Sequence, residues 1–267
     1  MKILVNEIPA VIEAGQTLGT VAEIFREGAD VLILNGFPAP AETLLKDGDE
    51  LFLIRRGEMP TADELEGLMA SRHTPGVHQR LKQASVGIAG VGGLGSVVAV
   101  ALARVGVGRL VIADFDVVEP SNLNRQQYFI DQIGHYKVDA LTSNLQRINP
   151  YITVEPHRVL LGPENIAATF ADCRVVVEAF DRAEMKAMLV NCVLESMPSC
   201  IVVAASGVAG YGPNNSIKTR RVSKRLYLTG DAVSEAAPGS GLMAPRVGIA
   251  AHHQANQAIR ILLGEDE

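Results

Sequence analysis

The chain has 267 residues, of which 48% are hydrophobic, and its formal net charge is −6. This length provides one sizeable α/β core and a small additional module. The acidic balance argues against a nucleic-acid-binding protein, because such proteins usually carry a basic face. The sequence contains neither a run of about 18 apolar residues nor the apolar core of a signal peptide. We therefore expect a soluble, cytoplasmic protein that binds neither nucleic acid nor a membrane.

The three cysteines, Cys173, Cys192 and Cys200, form no C-x-x-C pair. This spacing supports neither a zinc site nor a disulfide framework, so we expect no zinc. A small, odd number of cysteines suits a reducing compartment, where each thiol is most simply a small buried hydrophobe.

Residues 1–57 are predicted to form a small β-rich domain. The patterns indicate strands at 2–5, 31–34 and 50–54 and a helix at 18–25. This order is that of a β-grasp (ubiquitin-like) fold, and the segment resembles ThiS-type sulfur carriers. A polar linker with Gly57 and Pro60 then leads to a predicted helix near 64–69. We divide the chain into a ThiS-like domain at 1–57, a linker and helix at 58–70, and a third segment at 71–267.

From Ser85 onward, strands and helices alternate, which predicts a parallel α/β domain. The predicted strands are 86–89, 110–113, 175–177 and 201–204, and the predicted helices are 96–104, 137–147, 184–195 and 245–263. The stretch 213–245 has little periodicity and is predicted to be a functional loop. Its basic part, 218–225, has few aromatic residues for base stacking and is interpreted as a solvated loop or strand.

A glycine-rich turn follows the first of these strands and opens a helix. Its glycines are Gly90, Gly92, Gly93 and Gly95. Glycine lets backbone N–H groups approach phosphate oxygens, and the helix N-terminus adds a partial positive charge. Asp114 ends the next strand, where its carboxylate can bind ribose hydroxyls. Such a turn predicts a nucleotide site, and taken alone it fits NAD as well as ATP.

The segment after Asp114 favours ATP. Polar and charged side chains lie beyond the predicted strand end, namely Asp116, Asn122, Asn124, Arg125, Gln126 and Lys137. Arg125 and Lys137 are expected to face a triphosphate, one from a loop and one from the start of the next helix. Nucleotidyl transfer needs such cations, because negative charge shifts onto the leaving pyrophosphate.

Together these motifs resemble the ThiF, MoeB and HesA family, relatives of ubiquitin-activating enzymes, over about residues 70–263. They are Gly-x-Gly-Gly-Leu-Gly-Ser, Asp-Phe-Asp-x-Val-x-x-Ser-Asn-Leu-Asn-Arg-Gln, Gly-x-x-Lys, Arg-Ile-Asn-Pro and a strand-end Asp181. The resemblance implies a Rossmann-like domain that binds ATP and Mg²⁺ through Gly93, Asp114, Asn122, Arg125, Lys137 and Asp181. It also implies a homodimer in which an upstream arginine reaches the partner's ATP. Arg72 is the candidate for this role, and Arg80 is the alternative.

The implied reaction joins one anion to another. A peptide C-terminal carboxylate has a pKa of roughly 3.5 and needs no general base. Arg125, Lys137, the upstream arginine and Mg²⁺ would screen its repulsion from the triphosphate. Asp181 suits Mg²⁺, which prefers carboxylate and water. The alternative for Asp181 is a cap on the following helix.

Two departures from the family narrow the expected activity. The paired C-x-x-C motifs are absent, and residues 213–245 contain no cysteine, so the predicted reaction stops at the acyl-adenylate. The ThiS-like domain continues into residues 55–60 and has no terminal Gly-Gly, so we expect it not to be a substrate. A docking or regulatory role and a purely stabilising one both remain open for this domain.

The resemblance therefore implies an adenylyltransferase for a separate ThiS-like carrier that ends in Gly-Gly, acting in thiamin thiazole synthesis. Alternatives with the same chemistry are a carrier for molybdopterin or cysteine synthesis, or a tRNA threonylcarbamoyladenosine cyclase, which the negative charge disfavours. An inactive carrier-binding scaffold is a third possibility, disfavoured by Arg125, Lys137 and Asp181. An NAD-dependent oxidoreductase is disfavoured because no acid–base group follows the turn in a recognisable setting.

Overall fold

The structure is a computed structural model that describes residues 1–6, 8–57 and 76–265. The chain divides into two compact units, Met1–Pro75 and Gly76–Glu267. The predicted helix near 64–69 and the predicted site residue Arg72 lie outside the described residues. None of the described helices is long and apolar enough to cross a bilayer.

The first unit is a mixed sheet with one helix. Its elements are β1 (Lys2–Val5), β2 (Ile8–Val11), α1 (Leu18–Phe25), β3 (Val31–Leu34), β4 (Phe37–Pro38) and β5 (Glu50–Ile54). The strand order is β2-β1-β5-β3-β4, and β1 and β5 are parallel. Leu51 and Leu53 of β5 belong to one buried cluster with Leu18 and Val21 of α1, and Phe52 between them is buried as well. The predicted β-grasp fold is confirmed.

The second unit is a doubly wound α/β domain. Its elements are α2 (Val77–Lys82), β6 (Ser85–Ala89), α3 (Gly93–Arg104), β7 (Arg109–Asp114), α4 (Lys137–Ile148), β8 (Thr153–Arg158), α5 (Ile166–Thr169), β9 (Val175–Glu178), α6 (Ala183–Ser196), β10 (Ile201–Ala205), β11 (Lys218–Ser223), β12 (Leu226–Gly230) and α7 (Ala244–Leu262). The strand order is β11-β12-β10-β9-β6-β7-β8. Only the β11–β12 pair is antiparallel among these strands. The predicted Rossmann-like class is confirmed.

Both faces of this sheet are buried, which explains why its central strands are continuously apolar. Ile88 and Leu110 belong to the core on the face covered by α3 and α7. Val111, Val176 and Val202 point the other way and pack with residues of α5 and α6. The alternation of side chains along each strand divides the valine-rich runs between the two cores.

The structure corrects three sequence-based expectations. The stretch 213–245 contains β11 and β12 and is not a long loop; β11 is an exposed edge strand, so its residues show no apolar alternation. Edge strand β8 was missed for the same reason. Helix α3 begins at Gly93, three residues before the predicted start, because the glycines that lower its helix propensity are helical here.

Candidate functional site

The site residues meet at the switch point of the sheet, between β6 and β9, where the order in which the strands are added changes direction. The chain builds β6, β7 and β8 in one direction and then returns to place β9 on the other side of β6. Open α/β sheets bind ligands in the crevice beyond the carboxyl ends of the strands at this point. Gly90 directly follows β6, Asp114 ends β7, and Asp181 lies three residues beyond β9. The topology therefore brings these three sequence-predicted segments to one edge of the sheet.

The glycine-rich turn is closely packed. A Cβ built at Gly95 would lie 1.9 Å from the carbonyl oxygen of Gly90, so the N-terminus of α3 lies against the end of β6. Gly90 has a φ of +85°, and its own Cβ would lie 3.0 Å from the carbonyl oxygen of Ala179. At Gly92, which precedes α3, no side chain caps the helix. The first-turn N–H groups of α3 are therefore suited to binding an anion.

Asp114 is held at the end of β7 by the turn itself. Its Oδ2 accepts a hydrogen bond from the N–H of Val91 at 2.8 Å, and its Oδ1 accepts one from the N–H of Asp116 at 2.9 Å. Burial raises the pKa of this carboxyl, and the nearby Lys137 and the two backbone donors oppose that rise. Each oxygen keeps a further lone pair that can accept a hydroxyl donor.

The two predicted phosphate-binding cations occupy different settings. Lys137 begins α4, and its side chain is only 8% exposed, with the ammonium 2.7 Å from the half-exposed carboxylate of Asp116. Arg125 lies in the loop after β7, where its Nη1 donates to Asn124 Oδ1 at 2.8 Å and to the carbonyl of Ser121 at 3.3 Å. Its Cγ lies 3.3 Å from a Cβ built at Gly93. Arg125 thus packs on the turn, while Asp116 holds Lys137.

The polar residues between these cations shape the loop. The buried Asn122 accepts the N–H of Glu119 through Oδ1 at 3.1 Å. Asn124 Nδ2 donates to the carbonyl of Leu242 at 3.1 Å, which joins the loop to the chain just before α7. Gln126 is buried, and its Oε1 has no hydrogen-bond partner among the described residues. Asn122 and Asn124 therefore have structural bonds. Gln126 lies beside Gly92, with its Nε2 3.6 Å from a Cβ built there, and its Oε1 acceptor is unused within the described part of the chain.

Asp181 is exposed and makes no hydrogen bond or ion pair with another described residue. Arg182 precedes α6 as its N-cap, and no side chain caps that helix, so the alternative role of Asp181 as a cap is wrong. The described residues contain no group of three or more His, Cys, Asp or Glu side chains placed to hold a metal. Mg²⁺ is usually held by one or two carboxylates with water and substrate phosphates, and a single free carboxylate here fits that pattern.

Two buried groups at this edge were missed from the sequence. Glu178, the last residue of β9, is fully buried and bonds Lys186 of α6 at 3.0 Å. The hydroxyl of Tyr128 donates to the carbonyl of Val91 at 2.7 Å. Burial raises the pKa of Tyr128 well above its usual value, so the phenol remains a donor. A carboxylate directly after the apolar run Val175–Val177 was the available signal for Glu178.

A cavity of about 750 Å³ lies beside the segment between β10 and α7. Its lining includes Tyr211, Lys218, Arg220, Asp231 and Arg246. The buried Arg246 donates to Asp231 Oδ2 at 2.6 Å and to the carbonyl of Gly212 at 3.0 Å. Burial alone would raise the pKa of Asp231, but N–H donors of Ser234 and Val233 and the Arg246 guanidinium outweigh it and lower the pKa to about 2.

The cysteines, the alternative arginine Arg80 and the basic stretch 218–225 are all bonded or buried within the fold. Cys173 and Cys200 are buried, and burial raises the pKa of Cys200 to about 12; Cys192 is half-buried in α6. Arg80 Nη1 donates to the carbonyl of Leu263 at 3.0 Å, so this guanidinium is bound to the end of α7 in its own chain. Arg225 donates to the carbonyls of Met197 and Cys200 just after α6, which gives the basic stretch a structural role.

The fold and site define a doubly wound α/β domain with a glycine-rich turn at its switch point. Residues 67–267 match the ThiF family, and residues 1–57 match the ThiS-like ubiquitin domain. The chain belongs to the ThiF family, with an N-terminal ThiS-like domain. The predicted family is confirmed, and with it the predicted class of enzyme, an adenylyltransferase.

Curated relatives agree with this assignment, and a solved structure shares the fold. The chain is 32% identical over 191 residues to the molybdopterin-synthase adenylyltransferase of Escherichia coli K12, which covers 70% of this chain and 76% of that one. It is 32% identical over 192 residues to the adenylyltransferase and sulfurtransferase UBA4 of Candida glabrata, covering 69% of this chain and 44% of that one. The structure of E. coli tRNA N6-threonylcarbamoyladenosine dehydratase with ATP shares the fold at a TM-score of 0.70 and 20% identity, covering 78% of this chain and 98% of that one.

Proposed function

We propose that this chain binds ATP at the Gly90–Gly95 turn and adenylates the C-terminal carboxylate of a ThiS-like sulfur carrier that ends in Gly-Gly. Pyrophosphate is the leaving group, and the product is a carrier acyl-adenylate. The observation that carries the proposal is the meeting of the turn, Asp114, Lys137 and the Asp181 segment at the carboxyl ends of β6, β7 and β9. The names of the relatives point to the same class of reaction.

The residues would act by orientation and charge. The carrier carboxylate is ionised at neutral pH, so the site needs no general base. The N-terminus of α3 and Arg125 offer donors to phosphate oxygens at the turn. Lys137 needs little reorganisation to meet a phosphate, because Asp116 already fixes its ammonium. Gly95 allows the close approach of α3 to the Gly90 carbonyl, and Gly92 leaves the start of α3 uncapped. Asn122 and Asn124 maintain the loop through their hydrogen bonds, and Gln126 offers an acceptor that no described residue uses.

Asp181 would hold Mg²⁺ on the nucleotide. When bound, this ion would neutralise phosphate charge that opposes an incoming carboxylate. The exposed position of Asp181 leaves room for water and phosphate oxygens as the other ligands. Cys173 and Cys200 are buried, and burial raises the pKa of both thiols, so neither is suited to act as a nucleophile. This favours an activity that ends at the acyl-adenylate.

The carrier is assigned by a direct test. The purified protein is incubated with Mg-ATP and a panel of carriers ending in Gly-Gly, including ThiS-like and molybdopterin-type proteins. We expect a mass increase of one AMP on a ThiS-like carrier, with the molybdopterin-type carrier as the second candidate because of the E. coli relative. A carrier without its last glycine is the matched control. Tight NAD binding and no adduct with any carrier would refute the proposal.

The ThiS-like unit and the oligomeric state form the second part of the proposal. We infer that the unit acts in carrier docking or regulation, because its last strand β5 continues into the chain and leaves no free Gly-Gly carboxylate. ATP–pyrophosphate exchange with and without residues 1–57 tests this role, and an unchanged rate and carrier affinity would exclude it.

We also propose a homodimer in which Arg72 reaches the partner's ATP. Light scattering and loss of exchange in Arg72→Ala test this part.

A further inference from the structure

A completely buried carboxylate lies at the carboxyl end of β9. Glu178 has no exposed side-chain surface, and its two oxygens lie 3.0 and 3.1 Å from Lys186 Nζ. Its Oε1 also accepts the N–H of Phe180 at 2.7 Å, and its Oε2 accepts the N–H of Ala205 at 3.3 Å. The carboxylate therefore joins the end of β9 to the end of β10 and to the fourth residue of α6.

These bonds fix the chain where it leaves the sheet toward Asp181. The bond from Phe180 spans two residues and bends the backbone directly after the strand. The Glu178 carbonyl is held as well, since Gln254 Nε2 on α7 donates to it at 2.9 Å. The same segment forms a wall of the glycine-rich turn: a Cβ at Gly90 would lie 3.0 Å from Ala179 O and 3.1 Å from Phe180 Cδ1.

Stability alone gives a weak reason for this arrangement. Replacing a buried ion pair with apolar residues of similar volume is often neutral or stabilising, because burial of the two charges costs solvation. What apolar residues cannot supply is an acceptor for the N–H groups of Phe180 and Ala205. Those two donors fix the backbone at the carboxyl ends of β9 and β10, which are neighbouring strands on one side of the switch point.

We propose that the Glu178–Lys186 pair positions Asp181 for the divalent cation that accompanies the nucleotide. The pair touches neither nucleotide nor metal; it holds the Phe180 backbone, so that the next carboxylate stands free beside the turn. This inference rests on the proposed function, because it assigns a role to the cation of the bound ATP.

The test measures cation-dependent nucleotide binding, so it requires no carrier and no turnover. A non-hydrolysable ATP analogue is titrated calorimetrically into the full chain with EDTA and at increasing Mg²⁺. Asp181→Asn should retain the Mg²⁺-free affinity and lose the increase that Mg²⁺ gives. Glu178→Gln should also retain the Mg²⁺-free affinity within about twofold, and its half-saturating Mg²⁺ concentration should rise about tenfold or more, as for residues that support a metal ligand.

A matched control and a second variant keep the outcome clear. Glu155→Gln removes the carboxylate of another ion pair, with Arg109 across β7 and β8, and should leave the Mg²⁺ dependence unchanged. Lys186→Met should reproduce the Glu178→Gln shift, and Lys186→Arg should restore much of the wild-type response. The double variant Glu178→Gln/Asp181→Asn should be no worse than Asp181→Asn in its Mg²⁺ response.

The result that overturns the inference is a Glu178→Gln or Lys186→Met protein with a lower melting temperature and a Mg²⁺ response within twofold of wild type. The pair would then serve stability alone. A wild-type chain that binds no adenine nucleotide would overturn the proposed function and this inference together. The two failures are distinguishable, because one is seen in the wild type and the other only in the variants.

Discussion

Replacing Gly95 with alanine tests the close contact between the glycine-rich turn and α3. A Cβ there would lie 1.9 Å from the Gly90 carbonyl oxygen, whereas side-chain carbons in proteins do not approach within 3.0 Å, so the two must separate by at least 3.0 − 1.9 = 1.1 Å. Overpacking of this kind costs about 1–3 kcal/mol, against about 1 kcal/mol gained from the higher helix propensity of alanine. Because the opposing atom belongs to the backbone of the turn, we expect the upper end: a net loss of about 2 kcal/mol of unfolding free energy.

Gly248→Ala is the matched control, since it also changes a glycine to alanine within a helix. No heavy atom lies within 4 Å of a Cβ at Gly248, so we expect stabilisation by up to about 1 kcal/mol. Urea unfolding gives both free energies, and titration with an ATP analogue gives affinities. Gly95→Ala should weaken nucleotide binding about tenfold or more, a change of about 1.4 kcal/mol. Equal stabilisation by both substitutions, with unchanged nucleotide affinity, would refute the close-packing argument.

Three further predictions concern single side chains. Lys137→Met should weaken ATP-analogue binding by about 10–100-fold, the equivalent of a charge-assisted hydrogen bond, with little loss of unfolding free energy because its partner Asp116 is half exposed to water. The pKa of Asp231 is lowered from 3.8 to about 2, so its ionised carboxylate should contribute about 2 kcal/mol to the free energy of unfolding. This contribution is present above pH 4 and is lost as the pH falls toward 2. The difference in unfolding free energy between wild type and Asp231→Asn should therefore shrink over that interval. Cys192→Ala should retain ATP–pyrophosphate exchange within about twofold, and a large loss would contradict the inference that no thiol takes part.

In the second unit, the strands that the sequence predicts are those buried on both faces. Strands β6, β7, β9 and β10 could be read from short apolar runs bounded by polar residues. Edge strands β8 and β11 could not, because one side of each faces solvent and their charged residues mask the alternation. The start of α3 was misplaced because local propensity penalises glycine, whereas the turn requires it for close packing.

Some residues of the candidate site could also be predicted from the sequence, whereas their bonding partners could not. The glycine-rich turn and Asp114 are local signals that depend on a strand followed by a helix, so the sequence was sufficient to find them. Partnerships were not readable: Lys137 and Asp116 are 21 residues apart, and Glu178 pairs with a lysine eight residues further along the chain. A charged residue at a strand end has the same sequence signal whether it is buried and paired or solvated. Only the packing of α6 on the sheet distinguishes the two cases.

Three ion pairs in the described part of the second unit have the same arrangement. In each, a cation in the first turn of a helix bonds a carboxylate at or just beyond a strand end: Lys137 of α4 with Asp116, Lys186 of α6 with Glu178, and Arg246 of α7 with Asp231. A cation is unfavourable at a helix N-terminus by up to about 1 kcal/mol, because the helix dipole is positive there. Helix stability therefore does not explain these positions.

The arrangement instead ties three helix N-termini to the carboxyl edge of the sheet. That is the edge where the proposed nucleotide and carrier carboxylate would meet, and both are anions. Paired cations add little net charge, but they fix the backbone around the site before any ligand binds, which lowers the reorganisation that binding requires. The three pairs should therefore differ in what they control: Lys137 the phosphates directly, Lys186 the Asp181 segment, and Arg246 the chain that borders the cavity. Nucleotide affinity and its Mg²⁺ dependence are the two measurements that would separate Lys137 from Lys186.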